Sequence, residues 1–284
     1  MRTEGISSVR MLYQKEQFFM QRPVGNDFFG WIAYLLDSYG SLFLQGAGYT
    51  MLIAISGTVL GFLLGLLVAI VRTIPVNKKD NIFKKILLKT VGFILNVYIE
   101  VFRGTPMIVQ AMVIYYGSAM VGINMDTLFA AIFIISINTG AYMAEIIRGG
   151  IISVDKGQKE GAHAIGMTHW QSMVHVVLPQ AVRNIMPSIG NEFVVNIKDS
   201  SVLNVISVSE LFFVGKSAAG TYARYFEAFA IIAAIYFVLT FTTTRLLRLL
   251  EKKMDGGKHY TIYGSQSASD ATITLEKGDE VPND

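Results

Sequence analysis

Twenty-five consecutive residues without a charged side chain, Ala47 to Val71, constrain the fold of this chain more than any other feature. A helix needs about 20 apolar residues to cross the hydrocarbon core of a bilayer. The composition agrees, because 52% of the residues are hydrophobic, 16% are charged, and the mean hydropathy is +0.46. These values are too apolar for an ordinary soluble domain of this size. The sequence therefore predicts an all-α membrane protein.

The apolar pattern predicts a transmembrane domain over residues 47–250 that contains five spans. They lie at about 47–71, 88–117, 127–144, 184–208 and 228–244. Gly104-Thr105-Pro106 interrupts the second span, and proline removes a backbone donor, so we expect a kink or a break there. In the first span Gly57, Gly61 and Gly65 repeat every four residues, a pattern that lets membrane helices approach closely.

Two flanking segments are predicted to lie outside this domain. Residues 1–46 include an aromatic-rich stretch, Asp27 to Gln45, which we expect to form an interfacial helix capped by Asp27. The first 22 residues carry charges without an apolar core, so we expect no cleavable signal peptide. Residues 251–284 are predicted to form a disordered tail, because most of them are Gly, Ser, Thr and Asp.

The distribution of basic residues predicts the orientation in the membrane. The loops after the first and third spans are rich in Lys and Arg, and so is the end of the fifth span. The loops on the other side contain few basic residues. By the positive-inside rule, the loop at residues 150–182 and the C-terminus are cytoplasmic, and the N-terminus is outside.

The loop at residues 150–182 contains a polar stretch, EGAHAIGMTHWQSMVHVVLP, from Glu160 to Pro179. Lys156 to Ile165 is predicted to form a short exposed helix that ends at Gly166 in the left-handed conformation. Thr168 and Gln171 have the spacing of a capping box that would begin a second helix. Pro179 marks where that helix bends or restarts. From spacing alone, an ordinary cytosolic loop with two helical turns is an equal alternative.

This stretch resembles the cytoplasmic EAA loop of bacterial ABC importer permeases, whose form is E-A-A, three residues, G, nine residues, I-x-L-P. The matching residues are Glu160, Ala162, Gly166, Leu178 and Pro179. Gly161 replaces the first alanine of the motif, and Val176 replaces the isoleucine. Three further runs, Tyr98 to Gly117, Ile137 to Ile151 and Asn196 to Leu211, are similar to the polar amino acid subfamily.

The resemblance implies a type I permease subunit with a five-helix core in the bacterial cytoplasmic membrane, paired with an identical or similar permease. The short helix around Glu160 and Gly161 would dock on a separate ATPase. An extracytoplasmic binding protein would deliver the solute. The chain would then be a transporter subunit rather than an enzyme, with no cofactor of its own and with ATP and Mg²⁺ on the partner.

The residues agree with an external ATPase. Gly215-Lys216-Ser217 resembles the end of a phosphate-binding loop, but Glu210 stands where the motif needs its first glycine. The chain has no cysteine, and His163, His169 and His175 do not share a helix face, so we expect no metal site. No nucleic acid partner is expected.

Polar side chains within the spans are the candidates for a solute path, because ionisable groups in a bilayer usually face a cavity or a partner. The candidates are Glu100, Arg103, Gln110, Asn138, Glu192, Asn196, Asp199 and Ser200. An amino acid needs acceptors for its ammonium group and donors for its carboxylate, and these residues supply both. Glu100 and Arg103 could instead form an ion pair that holds the helix break.

The polar stretch and the intramembrane residues together predict an ATP-driven importer of polar amino acids. A permease for another small solute, such as an opine, cystine or another sulfur compound, is the alternative within the same class. A stand-alone secondary transporter that uses buried carboxylates for proton coupling is an alternative from a different class, but it leaves the polar stretch unexplained.

Overall fold

The computed structural model describes residues 22–23, 25, 27–74 and 81–254, and in these ranges the regular elements are all helices. The predicted disordered tail from residue 255 onward and the first 21 residues lie outside the described ranges. The α-helices are α1 (Phe28–Arg72), α2 (Ile82–Gly104), α3 (Met107–Met120), α4 (Thr127–Ser153), α5 (Lys156–Ala164), α6 (His169–Ser172), α7 (Leu178–Asp199), α8 (Leu211–Tyr222) and α9 (Tyr225–Met254). A π-helix (Met173–Val177) precedes α7, and a 3₁₀-helix (Ser200–Ile206) follows it.

Helix α1 is one continuous element of 45 residues. Its N-cap is Asp27, as expected, and the Asp27 carboxylate accepts a hydrogen bond from Gly30 N at 3.1 Å. The boundary expected near residue 46, between an interfacial helix and a separate span, is absent. The first half of α1 contains no proline, and Leu35 and Phe43 pack against α8 and α9. This packing supports the helix where the sequence suggested an interruption.

Helices α1 and α4 pack closely along the glycine strip of α1. A Cβ added at Gly57, Gly61 or Gly65 would lie 2.5–2.7 Å from Ile135, Thr139 or Met143, respectively. Residue numbers increase together along both helices, so α1 and α4 run parallel. We call the end where they begin the N-terminal face and the end where they finish the C-terminal face.

Because α1 and α4 are parallel, the chain between them must return to the N-terminal face. Helices α2 and α3 make this return in two pieces, with the break at Thr105 and Pro106 as predicted. The first piece begins at Ile82, six residues before the predicted start of the second span at residue 88.

The remaining long helices alternate in direction. The residue Ile185 of α7 contacts α4 at Gly150, whereas Asn196 bonds to Thr139, so α7 is antiparallel to α4. Helix α9 begins near α8, where Ile232 meets Gly215, and ends near α7, where Leu247 meets Gly190. The chain therefore passes between the two faces five times.

Hydropathy alone identifies fewer spans than packing does. Among the described residues, α1, α4 and α9 are long and apolar enough to cross a membrane, and residues 169–206 with α8 form a fourth candidate bent by 54°. Helices α4 and α9 continue to Ser153 and Met254, past the predicted ends at residues 144 and 244. The α2–α3 crossing escapes the hydropathy test because the break divides it into a less apolar helix and a helix of 14 residues.

Candidate functional site

The polar stretch forms a helix–turn–helix on the C-terminal face. Helix α5 begins at Asp155, whose carboxylate accepts a hydrogen bond from Gly157 N at 2.7 Å. Ala162 is buried on the inner side of α5, whereas Glu160 and Gly161 are exposed. The residues that match the EAA pattern therefore divide between a side that packs inward and a side that is open.

A tight turn joins α5 to the next helix. Gly166 has a φ of +86°, the left-handed conformation that the sequence predicted. The capping box is also present, because Gln171 N donates to Thr168 Oγ1 at 3.3 Å and Thr168 N donates to Gln171 Oε1 at 2.9 Å. These interactions fix the direction in which the chain leaves the turn.

Pro179 does not bend the second helix as expected. The backbone instead adopts a π-helix at Met173–Val177, directly before Pro179 in the first turn of α7. Proline interferes with the carbonyl four residues earlier, and a π-bulge gives the backbone the extra room. Leu178 packs against a buried cluster that includes Val154 and Met173, so the loop is fastened to the end of α4.

An ion-pair cluster lies near the same face. The Glu145 carboxylate pairs with Arg72 at 2.5 Å and with Arg148 at 3.0 Å. The sequence suggested only that Glu145 and Arg148 reach the membrane surface, and it missed Arg72. This cluster joins the C-terminal ends of α1 and α4.

The histidines of the loop bond to nearby backbone. His163 Nδ1 lies 3.1 Å from Met167 O, and His175 Nδ1 lies 3.1 Å from Gln171 O. Within the described ranges, no group of three or more His, Cys, Asp or Glu side chains could hold a metal ion.

A cavity of about 270 Å³ lies where the α2–α3 break meets α4 and α7. Its lining consists of Thr105, Pro106, Met107, Asn138, Tyr142, Glu192, Val195, Asn196 and Asp199. Four of the eight candidate path residues, Asn138, Glu192, Asn196 and Asp199, are in this lining. Sequence reasoning missed Tyr142 and Thr105, although Thr105 belongs to the predicted break.

Gln110 supports the cavity from behind. Its buried amide nitrogen donates to the carbonyl oxygens of Phe102 and Thr105, both at 2.9 Å, and its Oε1 accepts from Asn138 Nδ2 at 2.9 Å. These are carbonyls at the break that would otherwise lack a partner. Gln110 therefore holds the break. Ser200 is likewise turned to the backbone, since its hydroxyl donates to Ile197 O at 2.9 Å.

The ion pair considered for Glu100 and Arg103 is not present. Both side chains are exposed, and the ion pairs of the described residues do not include one between them. The Arg103 guanidinium instead lies 5.6 Å from the centre of the Tyr142 ring. Arg103 therefore borders the cavity, whereas Glu100 points away from the packed part of α2.

The polar groups in the cavity wall differ in how fully they are occupied. The Asn196 amide donates to Thr58 Oγ1 at 2.8 Å and accepts from Thr139 Oγ1 at 3.0 Å, which ties α7 to α1 and α4. In contrast, the hydrogen bonds of the described residues include none to the carboxylates of Glu192 or Asp199. Two carboxylates without protein donors in one cavity are suited to binding an ammonium group.

Glu210 is a buried polar residue whose structural role the sequence did not indicate. It is fully buried and caps α8, accepting from Phe212 N at 2.9 Å and from Phe213 N at 2.7 Å. Its Oε2 also accepts from the Tyr236 hydroxyl at 2.7 Å. A glutamate directly before an apolar run was the available signal for this cap.

Comparison with known proteins gives consistent matches over most of the chain. The family model described as "Binding-protein-dependent transport system inner membrane component" matches residues 86–256. The glutamine transport system permease protein GlnP of Escherichia coli (strain K12) is 36% identical over 219 residues, which are 75% of this chain and 93% of GlnP. The arginine transport system permease protein ArtQ of Bacillus subtilis (strain 168) is 33% identical over 212 residues, 74% of this chain and 91% of ArtQ.

A solved structure supports the same relationship. A chain from the crystal structure of an amino acid ABC transporter with histidines superposes with a TM-score of 0.69 and 38% sequence identity. The match covers 81% of this chain and 100% of the other.

Proposed function

The chain belongs to the family of binding-protein-dependent transport system inner membrane components, and we propose that it is the permease subunit of an ATP-driven importer of polar amino acids. The single observation that carries this proposal is the helix–turn–helix at α5 and α6, with the EAA register on a rigid projection from the C-terminal face. A chain that moved its solute alone would have no use for such an element.

Helix α5 is proposed to dock on a separate ATPase subunit. Glu160 and Gly161 lie on its open side, and the buried Ala162 holds the opposite side against the permease. The attachment through Leu178 and Val154 would transmit a displacement of α5 to α4 and α7. ATP and Mg²⁺ would bind to the ATPase and not to this chain.

The cavity at the α2–α3 break is proposed to receive the solute. The carboxylates of Glu192 and Asp199 offer acceptors for an ammonium group, and Arg103 and Asn138 offer donors for a carboxylate. The names of GlnP and ArtQ refer to glutamine and arginine, both of which carry these two groups. A polar amino acid is the solute class that this set of groups matches best.

The proposed orientation places the C-terminal face in the cytoplasm. Basic residues on this side include Arg72, Arg148, Lys156 and Lys159, and the end of α9 adds Arg245, Arg248, Lys252 and Lys253. A binding protein would then deliver the solute to the N-terminal face. A second permease subunit, identical or similar, would complete the transporter.

Uptake into proteoliposomes containing the chain with its ATPase and binding protein tests this proposal. We expect uptake of a labelled polar amino acid that requires ATP. The variant Glu160→Ala should lower uptake per ATP hydrolysed, whereas Lys159→Ala, at an exposed neighbour on α5, should retain it. Amino acid uptake that continues without ATP or without the ATPase would refute the proposal.

The cavity residues allow a second measurement in the same system. Asp199→Asn should raise the solute concentration for half-maximal uptake by about tenfold or more, because a hydrogen bond to a charged group contributes about 1.5–3 kcal/mol. Asp37→Asn, at an exposed carboxylate of α1 far from the cavity, is the matched control. Equal half-maximal concentrations in both variants would exclude Asp199 from the solute site.

A further inference from the structure

Two helices carry uncovered polar residues at matching intervals. In α2 these are Lys89, Asn96 and Arg103, and in α7 they are Asn184, Asn191 and Lys198. The interval is seven residues in both sets, which is close to two helical turns, so each set lies on one helix face. All six side chains are exposed. We call the two sets the α2 stripe and the α7 stripe.

The two stripes lie at matching depths. Helices α2 and α7 both run antiparallel to α4, since the Tyr98 hydroxyl donates to Ile137 O at 2.6 Å and Asn196 bonds to Thr139. Asn96 is two residues below Tyr98 toward the C-terminal face, and Asn191 is five residues below Asn196. At about 1.5 Å per residue, these central members differ in depth by less than one helical turn.

Both stripes lead from the cavity to the C-terminal face. At the cavity, Arg103 stacks over the lining residue Tyr142, and Lys198 directly precedes the lining residue Asp199. At the other end, the Asn184 amide donates to Ser153 Oγ at 3.1 Å, at the last residue of α4. Each stripe therefore covers the distance between the solute cavity and the surface where α5 projects.

Lipid cannot be the environment of these stripes. A lysine or arginine facing hydrocarbon at mid-depth costs about 2.5–3.5 kcal/mol on insertion scales. The other side of α2 has the expected lipid-facing character, since Ile94, Val97 and Val101 are 59%, 42% and 48% exposed. The polar side of the same helix must therefore meet water or another protein.

We infer that the α2 and α7 stripes line an aqueous release path from the cavity to the C-terminal face. Their cationic and amide groups supply hydrogen-bond donors for a carboxylate at three successive depths, which suits a solute that carries a carboxylate. The identity of that solute rests on the proposed function, but the existence of the path does not. A dry interface with a second permease subunit is the competing arrangement.

The chain contains no cysteine, so a single introduced thiol can report on water access. The variants Asn96→Cys and Asn191→Cys would be made in the assembled transporter and treated, in inverted membrane vesicles, with a membrane-impermeant anionic maleimide. The matched control is Ile94→Cys, on the opposite side of α2 at nearly the same depth. We expect labelling at least about tenfold faster at positions 96 and 191, because only the thiolate reacts and lipid disfavours it.

The competing outcome is equally specific. If both thiols react as slowly as the one at position 94, the release path is refuted. If oxidation joins two copies of the Asn96→Cys variant through their introduced thiols while the maleimide fails to react, the stripe is a protein interface and the inference is also refuted. Because labelling requires no solute, this result is independent of the amino acid uptake that tests the proposed function.

A transport measurement separates a path from a structural role. Asn96→Leu and Asn191→Leu should lower the maximal uptake rate severalfold while leaving the half-saturating solute concentration unchanged, because binding in the cavity precedes release. Ile94→Leu should leave both values unchanged. An increase in the half-saturating concentration alone would assign these residues to solute binding and contradict a role in release. If an Asn96 variant fails to accumulate in the membrane, Asn191 and Asn184 variants provide the same measurements.

Discussion

Gln110 replaces the helical hydrogen bonds that Pro106 removes. Its amide reaches the carbonyls of Phe102 and Thr105 across the break, and Asn138 extends the contact to α4. A backbone break inside a membrane is tolerated only where such partners are available. The shape of the solute cavity therefore depends on a residue that does not line it.

Replacing Gln110 by leucine should destabilise the protein. Each buried carbonyl left without a donor costs about 1–3 kcal/mol, so the melting temperature of the purified complex should fall clearly. Gln158→Leu changes an exposed glutamine of α5 and should leave the melting temperature unchanged. Equal melting temperatures for the two variants would show that Gln110 does not support the break.

Gly166 and Gly161 make a matched pair on the polar stretch. A Cβ at either position would meet no atom within 4 Å, so the two sites differ only in backbone conformation. Gly166→Ala places alanine at a φ of +86°, which costs about 1–2 kcal/mol, whereas Gly161→Ala should stabilise α5 by up to about 1 kcal/mol.

Coupling should follow these energies. We expect Gly166→Ala to lower the uptake per ATP hydrolysed and Gly161→Ala to maintain or increase it, measured in the reconstituted transporter at equal protein amounts. A loss of coupling in Gly161→Ala with normal coupling in Gly166→Ala would contradict the role of the turn.

At the scale of elements, the strongest constraint is the contact between α1 and α4. A Cβ at Gly61 would lie 2.7 Å from Thr139 Cβ and 3.2 Å from Gly140 N, and the backbone atom cannot easily move away. Gly61→Ala should therefore destabilise the protein by about 1–3 kcal/mol through overpacking.

Gly48 provides the control for this substitution on the same helix. It is exposed, and a Cβ there would meet nothing within 4 Å, so Gly48→Ala should be neutral or slightly stabilising. The comparison requires thermal unfolding of both purified variants in detergent. Equal stability would mean that the α1–α4 contact tolerates a larger separation than the structure indicates.

Local signals in the sequence predicted some elements well. The left-handed turn at Gly166, the capping box at Thr168 and the break before Pro106 each depend on a few neighbouring residues with a fixed conformational preference. The glycine interval in α1 predicted a packing side but not its partner. The partner on α4 is a long-range fact that a single sequence does not contain.

Elements that depend on distant contacts were predicted less well. The continuity of α1 follows from its packing on α8 and α9, which no local pattern reveals. The π-helix before Pro179 is one of several ways to accommodate a proline. In the site, the choice of polar residues within spans found Asn138, Glu192, Asn196 and Asp199, but it could not separate lining residues from Gln110, which faces backbone.

For the whole molecule, five passes between the faces place the two ends of the transmembrane domain on opposite sides. A reporter fused at each end of the chain should therefore give opposite signals, with the C-terminal reporter cytoplasmic. A reporter inserted after Gly122, in the turn between α3 and α4, should give the same signal as the N-terminal one. Identical signals from both ends would mean an even number of passes and an incorrect topology.

The length of α1 has a mechanical consequence. At 45 residues the helix is about 67 Å long, roughly twice the thickness of the hydrocarbon core. Its C-terminal half is clamped to α4 through the glycines, and its N-terminal half is packed on α8 and α9. A stiff rod held in this way acts as a lever, and tilting it by about 10° about its C-terminal end would move the other end by roughly 12 Å. A small rocking motion beside α5 would thus become a large displacement at the opposite membrane surface.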